Sequence, residues 1–355
     1  MGTLWYCLVA GMIAVYVLLD GFDLGAGAIH LIIAKTDAER RQVLASIGSV
    51  WDANEVWLIA AGGTLFFAFP VLYASSFSGF YLPLMMVLWL LILRGASIEF
   101  RNHVKSRVWD PFWDSLFAAS SALLAVFFGA ALGNVVRGVP LDESGYFFEP
   151  LWTDFRLGDL TGILDWYTIL VGLLALIGLV MHGALWVRMK TTGPVSDRAA
   201  RIAGSAWWGV ICVTALVTAI TFRVQPRVKE NLTMWPWGLF FPLLAVAGAA
   251  GVKFELVKHD ERKAFYASCA YFMGMLTSVV FGLYPMVLPA RSPVYSLTVA
   301  SAKAGTYGLR VGAIWWTLGM ILAASYFSFL YRSFAGKVRA EGSVHDHADE
   351  HTAPH

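Results

Sequence analysis

Residues 4–33 read LWYCLVAGMIAVYVLLDGFDLGAGAIHLII. The stretch exceeds the roughly 20 residues that an α-helix needs to cross a bilayer. Its only carboxylates, Asp20 and Asp23, are three residues apart and share one helical face. A carboxylate inside hydrocarbon is costly, so such a pair points to ion or proton traffic or to a buried pairing network. The first helix thus settles the class of fold and supplies the first functional lead.

The same character continues outward. Hydrophobic residues make up 58% of the 355, and charged residues only 14%, against about a quarter in soluble domains. Mean hydropathy is +0.64. Candidate spans fall at 4–33, 48–73, 79–98, 112–135, 164–187, 203–223, 236–257, 265–288 and 310–332. The chain is therefore expected to be an all-α integral membrane protein with nine transmembrane helices. The 15 Trp and 24 Phe suit interfacial belts but name no ligand. A net charge of +2 without basic runs argues against nucleic acid as a partner. Cys7, Cys212 and Cys269 are isolated in apolar segments, so neither disulfides nor metal clusters are expected. The N-terminus lacks a basic n-region, and no cleavable signal is expected.

Lys and Arg set the orientation. Segments after the odd-numbered spans hold 17 of them, and those after the even-numbered spans hold eight. The positive-inside rule then places the N-terminus outside and the C-terminus in the cytoplasm. Segment 136–163 is the longest connection and lies outside, a natural seam. The expected organisation is a first four-helix group (1–135), an external loop (136–163) and a second four-helix group (164–288). A loop with a peripheral ninth helix (289–335) and a polar cytoplasmic tail (336–355) follow. The tail segment HDHADEH (345–351) offers at most loose metal binding and reads as solvated chain.

Polar groups gather at one depth. Asp20 and Asp23 fall roughly 25 Å along the first span, in its cytoplasmic half, at 1.5 Å per residue. The second span begins there with WDANEVWLIAAGG (51–63), which carries Asp52 and Glu55, again three residues apart. Arg94 and Glu99 close the third span, His182 lies late in the fifth, and Lys253 with Glu255 end the seventh. The outer half looks much barer. Carboxylates a few ångströms apart share protons, so the cluster suits a proton path, with Asn54 placed to orient a carboxylate or water. The competing reading is an inert network in which Arg94 neutralises an acid. For Arg94 and Glu99 an interhelical ion pair is the simpler role, each with a different helix, since five residues separate them onto different faces. Gly21, Gly25 and Gly27 read as close helix packing. Gly62 and Gly63 followed by Pro70 suit a bend in the second span, with helix packing as the default reading. His30 and His182 (in LVMHGALW) suit a haem iron or a quinone head, yet a lone helical histidine is more often an interhelical hydrogen-bond donor.

Three motifs carry a resemblance. LLDGFDLGAG (18–27), WDANEVWL (51–58) and LRGASIEFR (93–101) resemble, in order and spacing, subunit II of cytochrome bd-type quinol oxidases, a family that includes the cyanide-insensitive oxidases. The resemblance extends over the whole chain. It implies a complex that reduces dioxygen to water with electrons from a quinol and protons from the cytoplasm. It implies that haem b, with haem d or a further haem b, sits in subunit I, that quinol is oxidised there, and that this chain holds no haem. Two pseudosymmetric subunits, a possible small accessory subunit, membrane lipid and a possible structural quinone are further implications, as is the bacterial inner membrane as location. By the same resemblance, Asp52 belongs to a proton path at the subunit border. Asp20 and Asp23 match the family's first-helix acids, and Arg94 and Glu99 its third-helix motif. Ala53 stands where the family pattern has glycine, which leaves the acids in place. A proton-coupled secondary transporter is the alternative, but transporters favour midplane sites within repeats, and no repeat is visible here.

Overall fold

The computed structural model describes residues 1–101, 103–104, 106–158 and 161–338. The calls on HDHADEH and on all but the first residues of the tail lie outside the described residues. Thirteen α-helices follow one another: α1 (Gly2–Ile33), α2 (Asp37–Ile47), α3 (Trp51–Ala68), α4 (Pro70–Gly79), α5 (Tyr81–Phe100), α6 (Trp109–Arg137), α7 (Trp166–Lys190), α8 (Pro194–Val224), α9 (Pro226–Met234), α10 (Phe240–Val257), α11 (Glu261–Leu283), α12 (Val299–Ala302) and α13 (Thr306–Ser333). Between α11 and α12, β1 (Met286–Leu288) and β2 (Leu297–Thr298) form a small antiparallel ribbon.

Eight helices among the described residues are long and apolar enough to cross a membrane: α1, α5, α6, α7, α8, α10 with the short turn before it, α11 and α13. The sequence led to nine, and the second expected span makes the difference. It is divided at Phe69–Pro70 into α3, 18 residues with Asp52, Asn54 and Glu55 near its start, and the ten-residue α4. Proline lacks an N–H and clashes with the preceding turn, so a new helix begins at Pro70. Gly62 and Gly63 do not break the helix: α3 runs straight through them.

Close packing centres on α1, which contacts α3, α6 and α7. The approach to α7 is possible because both helices present glycine. A Cβ on Gly25 would fall on the Leu179 carbonyl, and one on Gly183 would meet the Gly25 backbone. Beside this crossing Phe22 stacks on Trp186 at 3.9 Å, within the largest buried cluster. Two connecting segments supply helices not foreseen as such. One is α2, started by a capping box of Thr36 and Glu39; the other is α9, with Pro226 at its first position.

Each end of the bundle is tied across distant sequence. At one end Thr3 meets Tyr284, Val139 pairs with Ala290, and Gln225 donates to the Val136 carbonyl. At the other, Lys190 donates to the Phe334 carbonyl, and Gln42 to the Thr192 and Val338 carbonyls. The cysteines are free.

The Gly25–Gly183 crossing generates a test. Gly25→Val should cost at least about 3 kcal/mol by overpacking and abolish the folded chain in detergent. Gly62→Ala, with no atom within 4 Å of its added carbon, should stay within about 0.5 kcal/mol of wild type. Size-exclusion profiles and thermal unfolding of the purified complexes decide it.

Candidate functional site

Helix α1 carries Asp20 and Asp23 on the face turned to α3 and α5. Arg94 reaches in from α5 and grips Asp20 with two nitrogens, Nη1–Oδ2 at 3.0 Å and Nη2–Oδ1 at 2.5 Å. Its Nη1 also donates to Glu55 Oε1 on α3 at 3.0 Å, and its Nη2 lies 4.0 Å from Asp23 Oδ2. Asn54 Nδ2 donates to Asp23 Oδ2 at 2.8 Å and to the Leu19 carbonyl at 3.3 Å. Asn54 Oδ1 in turn accepts from the Tyr331 hydroxyl of α13 at 2.9 Å. Asp20, Asp23, Asn54 and Arg94 are wholly buried, while the Glu55 side chain keeps 24% exposure. Four helices thus converge on one guanidinium faced by three carboxylates.

Of the residues singled out in the sequence, Asp20, Asp23, Asn54, Glu55 and Arg94 come together. Asp52 is exposed on the outer face of α3 and forms no hydrogen bond or ion pair among the described residues. Glu99 is exposed on α5, and its carboxylate takes no such partner either; Arg94 pairs instead with α1 and α3. His182 Nε2–H donates to the Leu18 carbonyl at 3.0 Å, its Nδ1 lies 2.7 Å from Ser268 Oγ, and its ring stacks on Phe265. Both its nitrogens are therefore engaged by the protein.

A second polar cluster was not foreseen. His30 Nε2 lies 2.8 Å from Asp114 Oδ1 of α6. Arg101, at the end of α5, holds Asp114 through Nε at 2.6 Å and Asp37 through Nη2 at 2.6 Å, and Arg40 adds a contact to Asp114 at 3.0 Å. Asp114 carried a signal in WDPFWDSLF (109–117), an acid one turn into an apolar helix. Tyr331 carried none, being one aromatic among many. The Arg101 guanidinium holds the Asp37 carboxyl below the usual range. Partial burial pushes Glu39 upward, but the N–H groups of Lys35 and Thr36 and the Arg198 guanidinium outweigh it and leave it lowered.

The opposite end of the bundle is not bare. Arg137 pairs with Asp165 and with Glu149 at 2.7 Å, and Arg291 meets Glu149 at 2.8 Å. These contacts pin segment 138–165 onto the helix ends. An apolar cavity of about 220 Å³ lies between α1, α6, α7, α8 and α11, lined by Val17, Leu24, Phe128, Leu174 and Met275, with the Tyr16 and Tyr167 rings at its wall. Among the described residues, no three His, Cys, Asp or Glu side chains are grouped to hold a metal ion.

Comparison with known proteins adds the following. The sequence matches the family described as cytochrome bd terminal oxidase subunit II over residues 1–334. The probable cytochrome oxidase subunit 2 of Haemophilus influenzae is 31% identical, over 95% of this chain and 95% of its own length. The cytochrome bd ubiquinol oxidase subunit 2 of Bacillus subtilis is 29% identical over 88% and 89%. The cytochrome bd-I ubiquinol oxidase subunit 2 of Escherichia coli is 32% identical over 62% and 55%. Among solved structures, a chain of the bd oxidase from Geobacillus thermodenitrificans matches with a TM-score of 0.72, covering 94% of this chain and 98% of that one. At 16% identity this is a likeness of fold.

Two outcomes follow from the geometry. Removing one partner of a buried ion pair costs about 3–5 kcal/mol, so Arg94→Leu should abolish recovery of an intact complex, whereas Glu55→Gln, at the partly exposed edge, should be recovered. Asp37 and Glu39 have lowered values, so their contribution is fully present above the ordinary carboxylate range and is lost as pH falls through the folded-state values, below about pH 4. Thermal unfolding of the complex against pH should show that acid limb, and Asp37→Asn should shrink it.

Proposed function

The chain belongs to the cytochrome bd terminal oxidase subunit II family, and on that premise we propose that it is the haem-free membrane subunit of a quinol:oxygen oxidoreductase and carries part of the cytoplasmic proton path for reduction of dioxygen to water. It is a subunit of a bd-type quinol oxidase complex, a multi-span bacterial respiratory protein that works with a haem-bearing subunit I. The haems belong to that partner, haem b with haem d or a second haem b, and quinol reacts there.

One observation carries the proton reading: three carboxylates share one buried guanidinium. If all three were ionised, the set would carry uncompensated negative charge in a low-dielectric interior, which is strongly disfavoured. Each proton bound among the carboxylates lowers that excess by one charge, and the set then exchanges protons instead of merely locking helices. Glu55 is the member that reaches the surface, and Asp52 lies one turn before it on α3. In this reading protons pass between the network and the partner subunit along Asp52 and Glu55, with Asn54 holding Asp23 in place and Glu99 on the neighbouring helix end.

The same premise supports nine crossings, with α3 and α4 together forming the broken second one. It supports two four-helix groups (1–135 and 164–288) around the external segment 136–163, and α13 as the peripheral helix of 289–335. The N-terminus lies outside, and residues 336–355 lie in the cytoplasm of a bacterium with this oxidase in its inner membrane. The apolar cavity fits a lipid-like tail, so the structural quinone implied by the resemblance would be held there by Val17, Phe128 and Met275. It would serve as a packing element, and no proton step runs through it. An accessory subunit and membrane lipid complete the expected partners. A proton-coupled transporter also needs buried acids, but the family match favours the oxidase.

Asp52→Asn tests the path. The substituted complex should assemble with its haem absorption intact and lose oxygen uptake by at least about tenfold, close to 1.4 kcal/mol of barrier. Normal uptake in an assembled Asp52→Asn complex would sink the proton role, and a chain that purifies without a haem-bearing partner would sink the oxidase assignment.

A further inference from the structure

A polar line runs along the seam between α1 and α6, outside the path argued above. Asp23, Gly27 and His30 succeed one another on one face of α1 at spacings of four and three residues. Asp114 and Ser121 lie seven residues apart on α6, with Phe117 between them. The two faces interlock. His30 meets Asp114 at 2.8 Å, the His30 ring lies edge-on to Phe117 at 5.4 Å, and a Cβ on Gly27 would fall on the Ser121 hydroxyl.

Three polar atoms along this seam are buried and make no hydrogen bond among the described residues: His30 Nδ1, Ser121 Oγ and Asp23 Oδ1. Their residues are fully buried. An isolated buried donor or acceptor without a partner is costly and uncommon. Three such atoms in one seam, beside the close Gly27–Ser121 approach, are groups of the kind that bound water satisfies. The seam also has defined ends. At its foot Asp114 is held by Arg101 and Arg40, and Arg101 reaches Asp37, whose side chain is 50% exposed. At its head Asp23 joins Asn54 and Arg94.

We propose that His30, Ser121 and Asp23 form a water-bridged proton wire along the α1–α6 seam, fed by water from the bundle end at Asp37, with Asp114 orienting His30. This rests on the reading that the Asp20–Asp23–Glu55 set exchanges protons. Asp114, held by Arg101 and Arg40, accepts from the His30 Nε2–H and orients the ring. A proton delivered by water binds His30 Nδ1 and leaves the same atom through water and the Ser121 hydroxyl to the Asp23 carboxylate. One proton enters and one leaves, no electrons move, and the imidazole returns to its starting form. The charged groups facing His30 are Asp114 from α6, Arg101 from the end of α5 and Arg40 from α2. His30 and Ser121 are proton carriers here and touch neither quinol nor oxygen.

The alternative is a structural clamp between α1 and α6. Ser121→Ala removes one hydroxyl and no clamp contact. His30→Gln retains a donor toward Asp114 but cannot bind and release a proton. Each is made in the whole complex with its haem-bearing partner, and oxygen uptake driven by a water-soluble quinol is followed in H₂O and D₂O. The wire predicts intact haem absorption, uptake reduced at least about threefold in Ser121→Ala and about tenfold in His30→Gln, and an enlarged solvent isotope effect in both. Normal uptake with an unchanged isotope effect in Ser121→Ala overturns it, and so does a slow Ser121→Ala complex whose isotope effect is unchanged. Should His30→Gln fail to assemble, Ser121→Ala decides alone. Asp52→Asn separates the two readings: a slow Asp52→Asn beside a normal Ser121→Ala removes the wire and leaves the proposed function standing.

Discussion

The Arg94 guanidinium is the constraint around which this bundle is arranged. A cation with no exposure inside a membrane protein needs partners at hand, because neither lipid nor bulk water solvates it. Asp20 supplies two contacts from α1 and Glu55 a third from α3. The register of α1 against α3 and α5 is fixed by that requirement, since a helix slipping by a residue would rotate an acid out of reach. Asn54 and Tyr331 extend the fixation to α13. The network is therefore structural whatever else it does. A packing role and a proton role are not exclusive, because the same short contacts that align four helices also bring the carboxylates close enough to share a proton.

Glycine placement does for the other side of α1 what Arg94 does for its polar face. Gly25 and Gly183 let α1 and α7 touch backbone to backbone, and membrane helices gain from that through dispersion and not through any hydrophobic drive. Gly27 serves a different purpose on an adjacent face, where it accommodates Ser121 of α6. The three glycines of LLDGFDLGAG are thus not one packing motif. Gly21 faces Leu179 and His182, Gly25 the α7 backbone, and Gly27 the α1–α6 seam.

Much of the candidate site was legible in the sequence because its residues break a strong pattern. Asp20, Asp23, Asn54, Glu55 and Arg94 stand out as polar positions in apolar runs, and the direction of each helix places them at one depth. What the pattern does not carry is the identity of partners. Asp114 pairs with His30 at a separation of 84 residues, and no periodicity encodes that. Arg94 and Glu99 were each expected to pair with another helix, yet Glu99 sits on the exposed side of α5 without a side-chain partner among the described residues. The capping box of Thr36 and Glu39 was written in the chain, but the polar composition of α2 hid it beneath what reads as a connecting loop. In the second span Gly62, Gly63 and Pro70 were all visible as breakers, and only the proline acts, because glycine lowers helix stability without removing a hydrogen bond.

The polar sets along the bundle differ in charge balance, and that difference bears on function. At the end that holds segment 138–165, Arg137 and Arg291 meet Asp165 and Glu149, two cations against two acids, all closely paired. Such a set balances charge for charge and suits a fastening. Around Arg94 one cation meets three acids, an excess of negative charge. Around Asp114 the count is again even, with Arg40 and Arg101 holding the buried Asp114 and the half-exposed Asp37. Seen along α1, a balanced collar stands at the bundle end, and an acid-rich pocket stands deeper in. The surplus of acid around Arg94 sets it apart from the balanced pairs at both ends, and it is the feature on which the proposed proton role rests.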